Sequence, residues 1–142
     1  MRCVVKIFFQ SLVLVFLVCG CATSTINIHP AAAGQVSASG RNVDRNIEAS
    51  INGVYLFYAI PLWSGAYTRP NEKSYRIFRD FVAPKYMRNM LERYRKRHDL
   101  TAIENLQISE SSSGWWTLGI IWQKSVKAKA VGIKEVKKQP LK

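Results

Sequence analysis

Cysteine is absent after residue 21: the 142-residue chain holds only Cys3, Cys19 and Cys21. A disulfide-stapled miniprotein is therefore excluded, because such scaffolds spread cysteines through the fold. Histidine is almost as scarce, with only His29 and His98, and no Cys/His or His/Glu spacing suited to a metal appears. There is no G-x-S-x-G elbow and no glycine-rich phosphate loop. Acidic residues are few and scattered, nine against 21 Lys+Arg, for a formal net charge of +12. After residue 18 no apolar run approaches the roughly 20 residues needed to cross a bilayer. The length leaves no room for a multidomain enzyme. With 48% hydrophobic and 21% charged residues, the balance is that of a globular chain rather than a disordered one.

The first 21 residues carry the sharpest pattern. Arg2 and Lys6 precede an apolar run from Ile7 to Val18 that only Gln10 and Ser11 interrupt, and Val18-Cys19-Gly20-Cys21 closes it. A basic start, about a dozen apolar residues and a small residue before the cut describe a secretory signal over residues 1–20. Val18-Cys19-Gly20-Cys21 also resembles the lipobox of bacterial lipoproteins, with Cys19 where alanine or serine is commoner. That resemblance implies diacylglyceryl transfer to the sulfur of Cys21, cleavage after Gly20 and acylation of the new amino group with fatty acids such as palmitate. Two or three acyl chains hold a protein to a membrane effectively permanently, since each buried methylene contributes about 0.8 kcal/mol. Ala22 stands where aspartate would retain a lipoprotein of this kind in the inner membrane. The expected location is therefore the bacterial outer membrane, on its periplasmic side.

Residues 21–45, rich in Ala, Ser, Thr, Gly and Asn, read as the lipidated cysteine followed by a flexible linker. A globular α+β domain is expected over residues 46–136, with a basic tail at 137–142. Ile47, Ala49 and Ile51 alternate with Glu48 and Ser50 as in a half-buried strand. Val54 to Ile60 is apolar throughout, as in a strand covered on both faces and ended by Pro61 and Ser64-Gly65. Residues 71–98 read as helix, with Asn71 as N-cap. Tyr75, Phe78, Phe81 and Val82 form one apolar cluster and Tyr86, Met87, Met90, Leu91 and Tyr94 another, about 140° away at 100° per residue. Pro84 reconciles the two as a kink or a break into a helix pair. Ile103, Leu106 and Ile108 predict a short strand closed by a turn at Ser111–Gly114. Val126, Ala128 and Ala130 alternate with Lys127 and Lys129 as a strand with one wet face. The fold expected is a small antiparallel sheet ordered strand, kinked helix or helix pair, strand, strand, with the last two as a hairpin.

No residues converge on catalysis. His98 sits in a basic helix end, where a cation is favoured by the helix dipole. The chain is read as non-enzymatic, with no cofactor and no metal. Residues 69–97 carry ten basic against three acidic residues, and the tail from Lys124 carries seven lysines against Glu135. Arg76, Arg79, Arg88, Arg95 and Lys96 form the candidate anion-binding face, suited to phosphate headgroups, lipopolysaccharide or an acidic envelope protein. The export signal argues against nucleic acid. Adjacent Trp115 and Trp116 must point to opposite faces of a strand, and with Trp122 they form the candidate aromatic contact. A membrane interface, a second subunit or a partner protein could cover them.

Gly114-Trp115-Trp116-Thr117-Leu118-Gly119-Ile120, followed by the Lys/Ala alternation, is similar to the C-terminal pattern of small phage-borne Bor-type lipoproteins. The similarity covers about twenty residues plus the anchor, and the downstream cysteine associated with that family is missing. It implies an envelope lipoprotein linked to serum resistance, with no catalytic residues to carry over. The expected function is thus a lipid-anchored envelope protein that binds a partner or an anionic surface. The alternatives are a surface-exposed protective lipoprotein and a small envelope hydrolase built around Asp44, His98 or Asp99.

Overall fold

A computed structural model describes residues 22–114 and 118–134; residues 1–20, read above as a signal segment, Cys21, Trp115, Trp116 and the tail 137–142 lie outside them. Six strands and one helix follow one another in the order β1 (Ser24–Pro30), β2 (Arg45–Leu56), β3 (Ile60–Gly65), β4 (Tyr75–Ile77), α1 (Pro84–Arg97), β5 (Ala102–Ser113) and β6 (Ile121–Ile133). All strand pairings are antiparallel, and the class is α+β.

Strand β2 organises the sheet. Along one edge it pairs with β6 from Arg45↔Gly132 to Leu56↔Ile121. Its other edge is divided end to end: β1 takes Arg45–Ile51 and β3 takes Gly53–Leu56. β4 continues outward from β3, and β5 from β6. Ile47, Ala49, Ile51 and Tyr55 face α1 and share a core with Val126 and Ala128 of β6. On β6 the expected alternation holds, with Val126, Ala128 and Ala130 buried and Lys127 and Lys129 exposed. β5 and β6 form the expected antiparallel hairpin, although β5 runs on through Ser111–Ser113 instead of turning there.

Helix α1 begins where proline allows it: Ala83 is extended (φ −146°, ψ 152°) and Pro84 occupies the first turn, where a missing N–H costs nothing. Met87, Met90, Leu91 and Tyr94 recur on one face and are buried against the sheet, each burial contributing roughly 1.5–3 kcal/mol. Arg95, Lys96 and Arg97 fill the last turn, and Arg95 donates to the carbonyl oxygens of Leu100 and Thr101 at 3.4 and 3.3 Å. Positive charge there complements the helix dipole.

Two expectations are corrected. The helix expected over 71–98 is helical only from Pro84, because the sheet claims the first half. Asn71 is no N-cap: its Oδ1 accepts from the Ile26 N–H (2.8 Å) and its Nδ2 donates to the Ile26 carbonyl (2.9 Å), as a paired peptide would. It sits at φ 67°, which asparagine tolerates better than most residues. Tyr75–Ile77 then pairs with β3, and Phe81 joins a ring cluster with Tyr67 and Tyr86. The second correction concerns the linker, since residues read as flexible enter the sheet from Ser24. Ala22 is 6% exposed, and the Ser24 hydroxyl donates to the Ala66 carbonyl at 2.8 Å. Ile26 supplies the apolar payload that the polar composition concealed.

The division of the β2 edge leaves no space beside Gly65, where a Cβ would lie 2.4 Å from the Thr23 carbonyl carbon and oxygen. Backbone cannot swing aside as a side-chain tip can, so Gly65→Ala should cost about 1–3 kcal/mol in denaturant unfolding. The loop before β2 is held by Glu104, which accepts from the Ser39 hydroxyl. Hydrogen bonds from Ser39 and Ser37, with Arg41 nearby, hold its carboxyl below its ordinary value of 4.5. The contribution of these contacts is full above that ordinary value and lost as pH falls through the lower folded-state value. The protection factor of the Ala38 amide, which donates to Asn105 Oδ1, taken against the intrinsic exchange rate at each pH, should therefore fall on acidification, and Glu104→Gln should abolish that dependence.

Candidate functional site

Large apolar side chains are exposed chiefly at one end of the sheet. Phe57 (61%), Tyr58 and Ile60 form the β2–β3 turn, Ile77 and Phe78 (72%) the exit of β4, and Leu118 (94%) and Ile120 the approach to β6. Backbone hydrogen bonds join these pieces, from Phe57 N–H to the Ile120 carbonyl (2.8 Å) and from Phe78 N–H to the Leu62 carbonyl (3.1 Å). The run Val54–Ile60, expected as one continuous strand, in fact reverses at Phe57-Tyr58. Both residues have positive φ (49° and 66°), and Ala59 N–H closes the turn on the Leu56 carbonyl at 3.2 Å. Tight hairpins of this hand ordinarily use asparagine and glycine.

Seven non-glycine residues among those described have positive φ. Three are Asn71, Asp99 and Asn105, types that tolerate it. The other four are Phe57, Tyr58, Phe78 and Leu118, all exposed and all at this end. Strain of order 1–3 kcal/mol at such a residue is ordinarily offset by the packing around it. Phe57, Phe78 and Leu118 are exposed, so burial within the chain is not what holds them, while Tyr58 is half-exposed and rests against Trp122 and Lys124.

Beneath the turns lies a polar and aromatic brace. Trp122 donates from Nε1 to the Gly119 carbonyl (2.8 Å), meets the Tyr58 ring edge-on at 5.1 Å, and lies so close to Gly114 that a Cβ there would approach its ring to 2.5 Å. Trp122, expected as a contact residue, is therefore half-buried support. Lys124 Nζ stands 3.8 Å from the Tyr58 ring centroid and 4.3 Å from that of Tyr55. Tyr55 is fully buried and donates its hydroxyl to Asp80, and burial together with that carboxylate pushes the phenol far above its ordinary value. It stays protonated at any physiological pH and serves as a fixed donor.

The structure divides the expected anion-binding face. Arg76 and Arg79 flank Ile77 and Phe78, so charge and apolar surface meet there. Arg88 is exposed on α1, away from the sheet. Arg95 is engaged with Glu92 at 2.7 Å and with the helix end, and Lys96 lies 3.9 Å from the same carboxylate. Glu92 is held below its ordinary value chiefly by the Arg95 hydrogen bond. Arg95 is thus held to the helix end, while Lys96 stays largely exposed at the edge of the same carboxylate.

The opposite half of the sheet's uncovered face is polar. A groove of about 420 Å³ is lined by His29, Asn46, Glu48, Asn105, Gln107 and Lys129, among others, and Lys129 pairs with Glu48 at 2.9 Å. That pair brings opposite charges together in the groove, and the hydrogen bond from Lys129 lowers the Glu48 carboxyl. The hydrolase candidates are placed elsewhere. Asp44 pairs with Arg45 at 2.6 Å, His98 stacks on Tyr94 at the helix end, and Asp99 forms the turn after it. Among the described residues no three of His, Cys, Asp or Glu converge to hold a metal, and no helix is long and apolar enough to cross a membrane. Compared with known proteins, the chain matches no family model, and no curated protein or solved structure is significantly similar to it.

Sequence reading missed Phe57, Tyr58 and Phe78 because apolar residues bounded by no turn former look like buried strand or helix. Since Phe57 and Leu118 carry positive φ without burial, Phe57→Asn and Leu118→Asn should each stabilise the fold by about 1 kcal/mol, measured by thermal or denaturant unfolding.

Proposed function

We propose that this chain is a lipid-anchored, non-enzymatic protein of the bacterial envelope whose domain binds an anionic surface or envelope partner through the apolar end just described. One observation carries the binding part: four exposed apolar residues are held in strained turns beside Arg76, Arg79 and Lys124. Selection for stability alone would replace them, because asparagine or glycine fits those turns at lower cost. Exposed apolar surface rimmed by charge is the usual mark of an interaction site.

The anchor rests on the lipobox-like Val18-Cys19-Gly20-Cys21 and its three-part signal. Outer-membrane attachment rests on Ala22 under the sorting pattern noted above, and the periplasmic side is the placement we propose within it. Protection from protease added to intact cells distinguishes this placement from a surface-exposed protective lipoprotein.

Cys21→Ser should abolish incorporation of labelled fatty acid and leave the chain unprocessed or soluble, as read by autoradiography and intact mass. Undiminished labelling, or a native chain with residues 1–20 still attached, would remove the anchor.

A further inference from the structure

We propose that the membrane itself covers the apolar end: the domain lies flush on an anionic bilayer, with Phe57, Tyr58, Phe78 and Leu118 seated among the headgroups. The proposal deepens the reading above and takes from it the acyl anchor at Cys21.

The position of the chain start supports it first. Ala22 is buried and Thr23 is built into the sheet, its carbonyl accepting from Asn52 N–H at 2.8 Å and its backbone packed against Gly65. One residue spans at most about 3.6 Å, so an acyl chain on Cys21 would bring the bilayer within a few ångströms of this point. Gly65 pairs with Tyr75, the 60% exposed residue that opens the strip leading through Ile77 to Phe78. The chain start thus emerges beside Asn52, five residues of β2 before Phe57, and the Tyr75–Ile77–Phe78 strip runs along that side of the sheet from the anchor point towards the apolar end.

Side-chain chemistry supports it next. The tips are aromatic or aliphatic and mounted on short turns, a form that enters the headgroup layer without exposing strand edges to hydrocarbon. Lys124 lies over the Tyr58 ring and Arg76 and Arg79 flank Ile77 and Phe78 in the chain, while Asp80 is engaged by the Tyr55 hydroxyl and the Val82 N–H. Each basic side chain held near an anionic surface adds to the attraction. A second copy fits less well, because a two-fold contact would set this same basic patch against itself.

The test uses the processed full chain, purified and reconstituted into vesicles, with Phe57→Cys, Leu118→Cys or, as a control on β5 far from the tips, Leu106→Cys carrying an environment-sensitive fluorophore. In phosphatidylethanolamine–phosphatidylglycerol vesicles, the probes at 57 and 118 should shift to the blue and lose emission to bromines on the lipid acyl chains, while the probe at 106 should do neither. An acylated protein whose probes at 57 and 118 stay dim and unquenched overturns this proposal and leaves the anchor standing. Intact mass showing a bare Cys21 overturns the anchor, whatever the probes do. An equal response on phosphatidylcholine alone overturns the anionic assignment. A shift that follows protein density and ignores the brominated lipid overturns the bilayer in favour of a second copy. Phe57→Asn with Leu118→Asn, expected to fold at least as well as the parent, should abolish quenching of a probe at Ile120→Cys.

Discussion

One strand edge shared by two strands is the constraint on which the rest of the molecule depends. β2 can serve both β1 and β3 only if the two meet without clashing, near Asn52 and Gly53. Asn52 bonds Thr23 through both its backbone N–H and its side chain, and Gly65 admits the Thr23 backbone where any Cβ would collide. Gly53 performs the same service on the core side, where a Cβ would come within 2.6 Å of Val82. Once that junction closes, β3 is directed away from β1. The Phe57-Tyr58 turn and β4 then fall on one end of the sheet, and the polar groove between His29 and Lys129 on the other.

Electrostatics follows the same division. The acids are largely consumed locally: Glu48 by Lys129, Glu92 by Arg95, Asp44 by Arg45, and Glu104 by the serine loop. These pairs are exposed and each contributes little to stability. Their consequence is geometric: the net positive charge is left on side chains such as Arg76, Arg79 and Arg88, which have no carboxylate partner among the described residues, and the first two flank Ile77 and Phe78 at the apolar end.

Legibility in the sequence depended on whether a residue's neighbours announced its environment. The Val126–Ala130 alternation and the Met87–Tyr94 helical spacing were readable because burial on one face leaves a period. Pro84 marked a true helix start for the same local reason. β1 was hidden because a sheet can recruit a polar strand on the strength of backbone pairing and a single Ile26. The Phe57-Tyr58 reversal was hidden because its turn former is the whole sheet and no asparagine or glycine marks it. The basic face was half legible: charge could be counted, but only three dimensions show that Arg95 and Lys96 are occupied by Glu92 while Arg76 and Arg79 stand among apolar tips.

The incorporation of Ala22 and Thr23 into the sheet also bears on the order of events in maturation. A peptidase that cuts before residue 21 must reach the chain on both sides of that bond, and in the docked state Thr23 and Ser24 are held against Asn52, Gly65 and Ala66. On the lipoprotein reading, cleavage must therefore come before β1 closes onto β2. On that reading the junction of Thr23 with Asn52 and Gly65 closes only on a trimmed chain, and the docking of β1 doubles as a record that the leader has gone.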